Sequence, residues 1–495
     1  MDSVRYKNLT LLHSNDMHGD FLSDEAELKV VGGISLLSGY VNKTRRETKN
    51  TLYCIAGDML QGSLIDSEYQ GISTIEMMNI LAPDVACIGN HEVDYGLAHL
   101  LFLERCARFP ILNANLFIKN PFTRLFSPQK IIRIGGMKVM FIGITTEEIL
   151  ASIKRENLLG SFIDIYEAAR EVGRICNAFR TTDIDLTVLL THIGFEEDKK
   201  LAALLDPEWG VDVIIGGHSH TLPEKPEKVN DIYIVQAGTG TKQLGRFDIV
   251  VDTELNTVHD FTWKVIPVDS EHCPRDTALE DIIYGYKDQT DKKYSRLLCR
   301  MQDKLTHPTR YRETALGNFF SDILKETLLV DVMLLGSGSV RKEEAGPIIT
   351  HGDLIEILPY DEKIYQIKVT GEQLKRMIRH MLRDEALDGE HTEFFQFSTG
   401  LEVEYDSDTK EFTKFNIYGK PIDEDQIYSV GLTDYHFVNF DGGFGFDKDE
   451  LRKNGKEMLI STSMHDVLIE YFVENFPKAT EVDGRLVIRS KGDAI

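Results

Sequence analysis

The sequence has 495 residues, of which 42% are hydrophobic and 27% are charged, and its formal net charge is -25. This length predicts two or three domains, and the composition is typical of a globular protein rather than a disordered one. The negative charge excludes duplex nucleic acid as a partner, because that binding needs a basic face that displaces counterions. Small phosphorylated substrates are compatible with it, since bound metal ions can dominate the local charge of a site.

The N-terminal residues show no basic stretch followed by an apolar run and a small-residue cleavage site, so we expect no signal peptide. No run of about 18 apolar residues occurs, so we expect neither a transmembrane helix nor a membrane partner. Six cysteines are scattered along the chain without a CxxC pair, which favours reduced thiols. The sequence therefore predicts a cytoplasmic protein.

Short apolar runs recur through residues 8–250, each bounded by Gly, Asn or Asp, and these runs predict buried strands. The predicted strands are Leu9–Leu12, Leu52–Ala56, Val85–Ile88, Lys138–Ile144, Leu186–Leu190, Val211–Ile215 and Ile232–Val235. Helix-like stretches alternate with them at Ile34–Glu47, Leu97–Arg108 and Tyr166–Arg180. This alternation predicts an α/β fold for residues 1–268, with a β-sandwich flanked by helices.

The rest of the chain is predicted to form a linker and a second α/β domain. Residues 269–305 contain the charged segment Thr277–Asp303, which predicts one long helix. Residues 306–495 carry new strand patterns at Val332–Leu335, Lys363–Val369, Leu401–Tyr405 and Gln426–Leu432. Helices are predicted there at Leu316–Leu329, Gly371–Arg383 and Met464–Glu474.

Five predicted strands of the first domain end next to Asp, Asn or His. The residues at these ends are Asp16, His18, Asp58, Asn90, His91, His192, His218 and His220. In an α/β sheet, parallel strands place their carboxyl ends at one edge, so residues distant in sequence can converge there. A single histidine at a strand end is usually structural, but five such ends in order favour a metal site.

The residue types suit divalent transition metals, which bind imidazole nitrogen and carboxylate oxygen. Two such ions about 3.5–4 Å apart need a bridging ligand, and a carboxylate with two oxygens serves best. We therefore expect two divalent metal ions, and Zn, Mn, Fe and Co all accept these ligands.

His91 and Asp94 form a further pair. Asp94 lies three residues beyond His91, where its carboxylate can accept the imidazole N–H and hold the ring. An oriented, charged histidine beside a phosphate would stabilise the transition state or protonate the leaving oxygen. The alternative is that Asp94 only caps the following helix.

The strand-end motifs resemble the calcineurin-like metallophosphoesterases, and Gly89-Asn90-His91-Glu92-Val93-Asp94-Tyr95-Gly96 resembles their 5'-nucleotidase branch. This resemblance implies that Asp16, His18 and His220 bind one metal. It implies that Asn90, His192 and His218 bind the other and that Asp58 bridges them. His91 and Asp94 would be the catalytic dyad, and a metal-activated water would attack phosphorus.

Residues 306–495 resemble the second, substrate-binding domain of that branch. The resemblance places Arg310 and Arg341 on substrate-binding arginines and Tyr360 on an aromatic residue that stacks on the base. Gly336 stands where the family usually has a base-contacting Asn. The family's ribose-binding Asp and second stacking aromatic fall on Phe444 and Val438, with Phe437 and Phe440 as neighbours that could substitute.

The sequence therefore predicts a hydrolase that acts on phosphoric ester bonds, with a nucleotide or another small phosphate ester as substrate and a role in nucleotide catabolism. Two alternative enzyme activities would use the same metal ions: a 2',3'-cyclic-nucleotide phosphodiesterase and a nucleotide-sugar or dinucleotide pyrophosphatase. An alternative of another class is a non-catalytic binding protein on this fold, against which the complete ligand set argues.

Overall fold

The computed structural model describes residues 5–26, 29–119, 122–147, 149, 160–162, 164–387, 392–475 and 481–490. The chain divides into two compact units, Met1–Thr290 and Asp291–Ile495. Both units mix helices and strands, and the predicted α/β fold class is confirmed for each.

The first unit contains two six-stranded sheets. In spatial order, the first sheet consists of Thr257–Pro267, Gln243–Asp252, Tyr6–Ser14, Thr51–Ala56, Val85–Cys87 and Ile111–Leu112. The last four of these strands run parallel to one another. Thr51–Ala56 and Val85–Cys87 are fully buried and mostly apolar, as expected for parallel strands covered on both faces.

The second sheet consists, in spatial order, of Glu227–Val229, Ile232–Val235, Val213–Ile215, Leu186–His192, Met137–Thr145 and Gln129–Ile134. Its four central strands are parallel. Smaller sheets join Gly160–Phe162, Leu116–Lys119 and Phe122–Arg124, and pair Asp24–Ala26 with Lys29–Val31.

A buried apolar layer lies between the two large sheets and includes Leu11, Cys54, Phe141, Val188 and Phe247. Helices cover the outer face of each sheet, so the predicted sandwich flanked by helices is confirmed. The helices of this unit are Ile34–Glu47, Leu64–Tyr69, Ile72–Leu81, Leu97–Cys106, Ile165–Ala178, Phe195–Leu204 and Thr277–Tyr294, with short 3-10 turns at His91–Val93 and Pro207–Trp209.

The second unit has a five-stranded sheet in the order Phe395–Phe397, Val332–Gly336, Ile427–Thr433, Ile364–Thr370 and Met458–Ser461. A four-stranded sheet has the order Lys420–Pro421, Glu411–Ile417, Leu401–Asp406 and Leu486–Arg489. Two short ribbons pair Leu297–Arg300 with Ile348–Thr350 and Leu305–Thr306 with Glu344–Ala345.

The helices of the second unit are Ala315–Leu328, His351–Ile357, Gly371–Met381, Asp384–Leu387, Asp434–Val438, Phe440–Phe444 and Met464–Glu474, with 3-10 turns at Ser337–Ser339 and Lys448–Asn454. Helix Gly371–Met381 illustrates how side chains define where a helix begins. Thr370 caps its N-terminus, and Gln373 completes a reciprocal capping box.

The long helix predicted over Thr277–Asp303 is shorter than expected. It spans Thr277–Tyr294, and its Leu279 and Ile283 pack into the core of the first unit. Leu297–Arg300 then forms a strand in which Leu298 and Cys299 are buried in the second unit. A helix through this segment was therefore the wrong expectation, because its two central residues are buried in an apolar core as part of a paired strand.

Within the described residues, no helix combines the length and the apolar character that a membrane span requires.

Candidate metal centre and substrate residues

The predicted metal ligands lie where parallel strands end. Asp16 and His18 follow Tyr6–Ser14, Asp58 follows Thr51–Ala56, and Asn90 follows Val85–Cys87. His192 ends Leu186–His192 in the second sheet, and His218 and His220 follow Val213–Ile215. The carboxyl ends of strands from both sheets thus contribute to one site, as predicted for ligands at the edge of an α/β fold.

The carboxylate of Asp58 lies at the centre of the cluster. Its Oδ2 is 3.1 Å from His192 Nε2, and it is 3.9 Å from the Nε2 atoms of both His18 and His91. Its Oδ1 accepts the backbone N–H of His91 at 2.9 Å. One buried carboxylate therefore faces three imidazole rings, and two of them, His18 and His192, are predicted ligands of different ions.

The remaining ligands surround Asp58. His220 Nε2 is 3.2 Å from His18 Nε2 and 3.5 Å from Asp16 Oδ1. His218 Nδ1 is 3.0 Å from Asn90 Oδ1. Ligand atoms close enough to share an ion occur in the groups Asp16–His18–His220, Asp16–Asp58–His192 and His18–Asp58–His91.

Five of these residues have left-handed backbone conformations, with φ values of 50° at Asp16, 49° at His18, 51° at Asp58, 82° at His218 and 54° at His220. Non-glycine residues rarely adopt such angles, and strained backbone concentrates at functional sites. The strain turns each strand end sharply and directs its side chain into the cluster.

The site places the carboxylates of Asp16 and Asp58 and the imidazole of His192 close together where solvent barely reaches them. Burial pushes the pKa of Asp58 upward, but the imidazoles of His192, His91 and His18 outweigh burial and hold that pKa well below its usual range. Burial lowers the pKa of His192, but Asp58 and Asp16 outweigh it and raise that pKa to about 10. The two carboxylates thus demand positive charge beside them, which metal cations would supply.

His192 provides a direct test of whether a metal fits. Its Nδ1 lies 2.8 Å from the carbonyl oxygen of Ala56, which fixes the proton there and leaves Nε2 facing the site. Nε2 is fully buried and lies 3.1 Å from Asp58 Oδ2, but among the residues that the structure describes no acceptor meets it with hydrogen-bond geometry. A buried imidazole nitrogen beside two carboxylates is a ready metal ligand, so the residues fit the group.

His91 and Asp94 contact each other as predicted for a dyad. His91 Nδ1 is 2.6 Å from Asp94 Oδ2, and both side chains are mostly buried. His91 opens the 3-10 turn His91–Val93, and Asp94 follows that turn directly. The arrangement orients Nε2 of His91 toward Asp58, at the edge of the metal centre.

Sequence reasoning assigned no role to Glu92, which is 2% exposed and lies beneath the site. Its carboxylate accepts backbone N–H groups from the two loops that carry Asp58 and Asn90: Asp58 at 3.0 Å, Met59 at 2.7 Å, Leu60 at 3.3 Å and Gly89 at 2.5 Å. Burial and the charge of Asp58 raise its pKa to about 7. Two sequence signals pointed to Glu92: its place inside the Gly89–Gly96 motif and its position three residues after a glycine.

The predicted substrate residues lie in the second unit. Arg341 Nη2 donates to the Tyr360 hydroxyl at 3.2 Å, and the Arg341 Cζ is 5.8 Å from the centre of the Tyr360 ring. Burial and the nearby charge of Arg341 lower the pKa of Arg310. The structure thus brings together Arg310, Arg341 and Tyr360 as two cations beside one half-buried aromatic ring, which is a suitable site for an anion and a flat group.

The three phenylalanines predicted to contact substrate are placed differently. Phe440 is fully buried, and Phe444 is 1% exposed and stacks on Phe395 with ring centroids 4.9 Å apart. Phe437 stacks on Tyr365 at 4.2 Å. Phe440 and Phe444 are four residues apart in one short helix, Phe440–Phe444, and this spacing turns both rings toward the apolar core.

Gly336 has a packing reason for lacking a side chain. A Cβ at this position would lie 2.1 Å from Cε1 of His436. His436 is 4% exposed, and its ring nitrogens lie 3.0 Å from Thr433 Oγ1 and 3.1 Å from Glu393 Oε2. The imidazole of His436 therefore occupies the space that a larger residue at position 336 would need.

The helix-flanked double sheet and the cluster of Asp, Asn and His at its strand ends define a metallophosphoesterase. Comparison with known proteins agrees: residues 9–222 match the family model described as calcineurin-like phosphoesterase. Residues 296–448 match the model described as 5'-nucleotidase, C-terminal domain.

Relatives and solved structures extend the likeness over nearly the whole chain. The 5'-nucleotidase of Mus musculus is 28% identical over 506 aligned positions, which cover 90% of this chain and 85% of that protein. A 5'-nucleotidase precursor from Thermus thermophilus has the same fold, with a TM-score of 0.84, 24% identity and coverage of 97% and 99% of the two chains. The Thermus thermophilus sulfate thiohydrolase SoxB also shares the fold, with a TM-score of 0.79 at 17% identity.

Both domain models and relatives named 5'-nucleotidase match this chain, and they confirm the predicted resemblance to the 5'-nucleotidase family. The protein is a phosphoester-hydrolysing enzyme, and its fold class implies divalent metal ions.

Proposed function

We propose that this enzyme removes phosphate from nucleotides and that it uses two metal ions to do so. The observation that carries the proposal is the placement of Asp58, whose Oδ2 lies 3.1 to 3.9 Å from three imidazole nitrogens. Asp16, His18 and His220 would hold one ion, and Asn90, His192 and His218 would hold the other. Divalent ions held there would supply a water of lowered pKa as nucleophile and would neutralise charge on the phosphoryl oxygens.

The residues of the chain supply orientation and a proton. Asp94 accepts the Nδ1 proton of His91 and thereby stabilises a positive charge on the ring. The Nε2 proton of His91 then faces the position of the phosphoryl group. It stabilises the negative charge of the transition state or passes to the leaving oxygen.

The nucleotide part of the proposal rests on Arg310, Arg341 and Tyr360. Two guanidinium groups suit phosphate, and the ring of Tyr360 offers a stacking face to a base. Gly336 adds no side-chain hydrogen bond, and the buried Phe440 and Phe444 add no second stacking face. This site should therefore accept purines and pyrimidines with similar kcat/KM, since stacking accepts every base.

A substrate screen tests the proposal. The purified enzyme, with Mn²⁺ or Zn²⁺ added, would be incubated with nucleoside monophosphates, 2',3'-cyclic nucleotides, dinucleotides and an aryl phosphate. The products would be separated by chromatography, because hydrolysis of a cyclic nucleotide or a dinucleotide gives a phosphomonoester and no free phosphate. We expect the highest kcat/KM for monophosphates. Hydrolysis of cyclic nucleotides or dinucleotides, with no hydrolysis of monophosphates, would contradict the proposal. A single strongly preferred base would contradict the weak stacking site.

Two variants separate the roles of Tyr360. Tyr360→Ala should raise KM for nucleotides roughly tenfold, because one base–aromatic stack contributes about 1–3 kcal/mol. Tyr360→Phe keeps the stacking face and loses only the hydroxyl that contacts Arg341. We expect it to stay near the wild-type KM, and we expect an aryl phosphate to be little affected by either change.

We also propose a cytoplasmic location, which the free state of all six cysteines supports. Alkylation of the unfolded protein without reductant should modify six thiols. Fewer modified thiols would indicate a disulfide and an oxidising compartment.

A further inference from the structure

A buried carboxylate beside the metal centre has no part in the mechanism described above. Asp66 lies on helix Leu64–Tyr69 and is fully buried. Its Oδ2 accepts the backbone N–H of Gln61 at 2.8 Å and the hydroxyl of Tyr95 at 2.8 Å. Its Oδ1 accepts the hydroxyl of Thr74. One carboxylate thus joins three separate segments of the first unit.

Gln61 connects this carboxylate to a predicted metal ligand. Its backbone N–H donates to Asp66, and its carbonyl oxygen lies 3.1 Å from Nδ1 of His18. Gln61 has a left-handed φ of 66° and is 4% exposed. A proton on Nδ1 of His18 that bonds to this carbonyl leaves Nε2 free of its proton, and Nε2 is the atom that faces His220.

Tyr95 connects the same carboxylate to the 3-10 turn His91–Val93, which begins with the proposed catalytic histidine. Its hydroxyl lies 2.9 Å from Gln61 Oε1, so it contacts both the carboxylate and the residue that orients His18. Tyr95 directly follows Asp94, whose carboxylate contacts His91 at 2.6 Å. A shift of the Tyr95 side chain would therefore disturb Gln61, which contacts His18, and also Asp94, which contacts His91.

We propose that Asp66, Gln61 and Tyr95 form a positioning network that fixes the tautomer and direction of His18 for metal binding. The inference rests on the proposed two-metal function. Hydrogen-bond partners of metal-binding histidines commonly contribute about 10–100-fold to metal affinity. The Asp66 network should contribute at that level to the ion held by His18.

Tyr95→Phe is the primary test, because it removes one hydroxyl and keeps the ring. Tyr69→Phe is the matched control: it also removes a tyrosine hydroxyl hydrogen bond, to Gln289, which is neither a predicted metal ligand nor part of the network. Binding of Mn²⁺ and Co²⁺ to the metal-free proteins would be measured by calorimetry, together with the visible spectrum of bound Co²⁺ and the thermal unfolding midpoint without metal.

We expect Tyr95→Phe to weaken one of two binding steps roughly tenfold and to change the Co²⁺ spectrum, with an unfolding midpoint equal to that of Tyr69→Phe. Metal affinities and a spectrum equal to those of the control would overturn the network. A wild-type protein that binds no metal would instead refute the proposed function on which the network rests.

Asp66→Asn provides a second measurement. Its carboxamide keeps the shape but turns an NH2 group toward groups that donate to Asp66 in the wild type, so we expect a larger loss of affinity than in Tyr95→Phe. If Asp66→Asn does not fold, Tyr95→Phe decides alone. If it folds and binds both ions with wild-type affinity, the network has no positioning role.

Discussion

The sharpest prediction concerns the contact between Asp94 and His91. The 2.6 Å distance from His91 Nδ1 to Asp94 Oδ2 is typical of a strong, charge-assisted hydrogen bond. The side chains are 16% and 9% exposed, so solvent screens the contact little. Such a bond contributes about 1.5–3 kcal/mol. Asp94→Asn should therefore lower kcat about 10–150-fold, at roughly 1.4 kcal/mol per factor of ten.

His91→Ala should lower kcat further, by about 10²–10⁴-fold, because it removes the proton donor itself. Both losses should fall on kcat far more than on KM, since the interaction acts in the transition state. If Asp94 acts only through His91, then Asp94→Asn added to His91→Ala should cost nothing more. The assay is steady-state hydrolysis of one nucleoside monophosphate with metal in excess, for the two single variants and the double variant.

Two results would refute this reasoning. A further tenfold loss in the double variant would show that Asp94 acts independently of His91. The second result concerns metal content, because His91 Nε2 belongs to a group with His18 and Asp58 that is compact enough to hold an ion. We expect His91→Ala to retain both ions when metal is measured by mass spectrometry. Loss of one ion would make His91 a ligand.

Three further predictions address the bridge, the packing and the pH dependence. Asp58→Asn should abolish turnover and bind less metal, because an amide cannot bridge two cations as a carboxylate does; two retained ions with a near-normal rate would contradict the bridging role. Gly336→Ala should destabilise the protein by about 1–3 kcal/mol because its Cβ meets the ring of His436, whereas Gly338→Ala, with open space at its Cβ, should not; equal unfolding midpoints would contradict this. Burial raises the pKa of Asp212 to about 7, above its unfolded value, so its contribution to stability is present at low pH and is lost as pH rises toward 7. The free energy of unfolding of Asp212→Asn should therefore rise relative to that of the wild type as pH increases, by at most about 1.4 kcal/mol per pH unit. A difference that stays constant with pH in denaturant unfolding would contradict this.

The outline of both units could be predicted from local patterns. Helix Ile34–Glu47 and helix Met464–Glu474 have the predicted bounds, and the predicted strands of the first unit agree within a few residues. These elements are predictable because apolar periodicity and end signals act over a few neighbouring residues. The segment after Tyr294 was misjudged because its short, buried strand is stabilised by a partner, Ile348–Thr350, that lies about fifty residues away.

The sequence by itself determined which residues gather at the metal centre. A polar residue after a parallel strand must lie at the carboxyl edge of its sheet, so the positions of Asp16, Asp58 and His192 follow from chain order alone. Only the tertiary structure decided how those residues are held and which aromatics face the core. The hydrogen bonds of Glu92 and Asp66 reach backbone groups of other segments, and the burial of Phe444 depends on which ring packs against it. Such contacts form over about 3–5 Å between segments that are remote in sequence, so no local pattern specifies them.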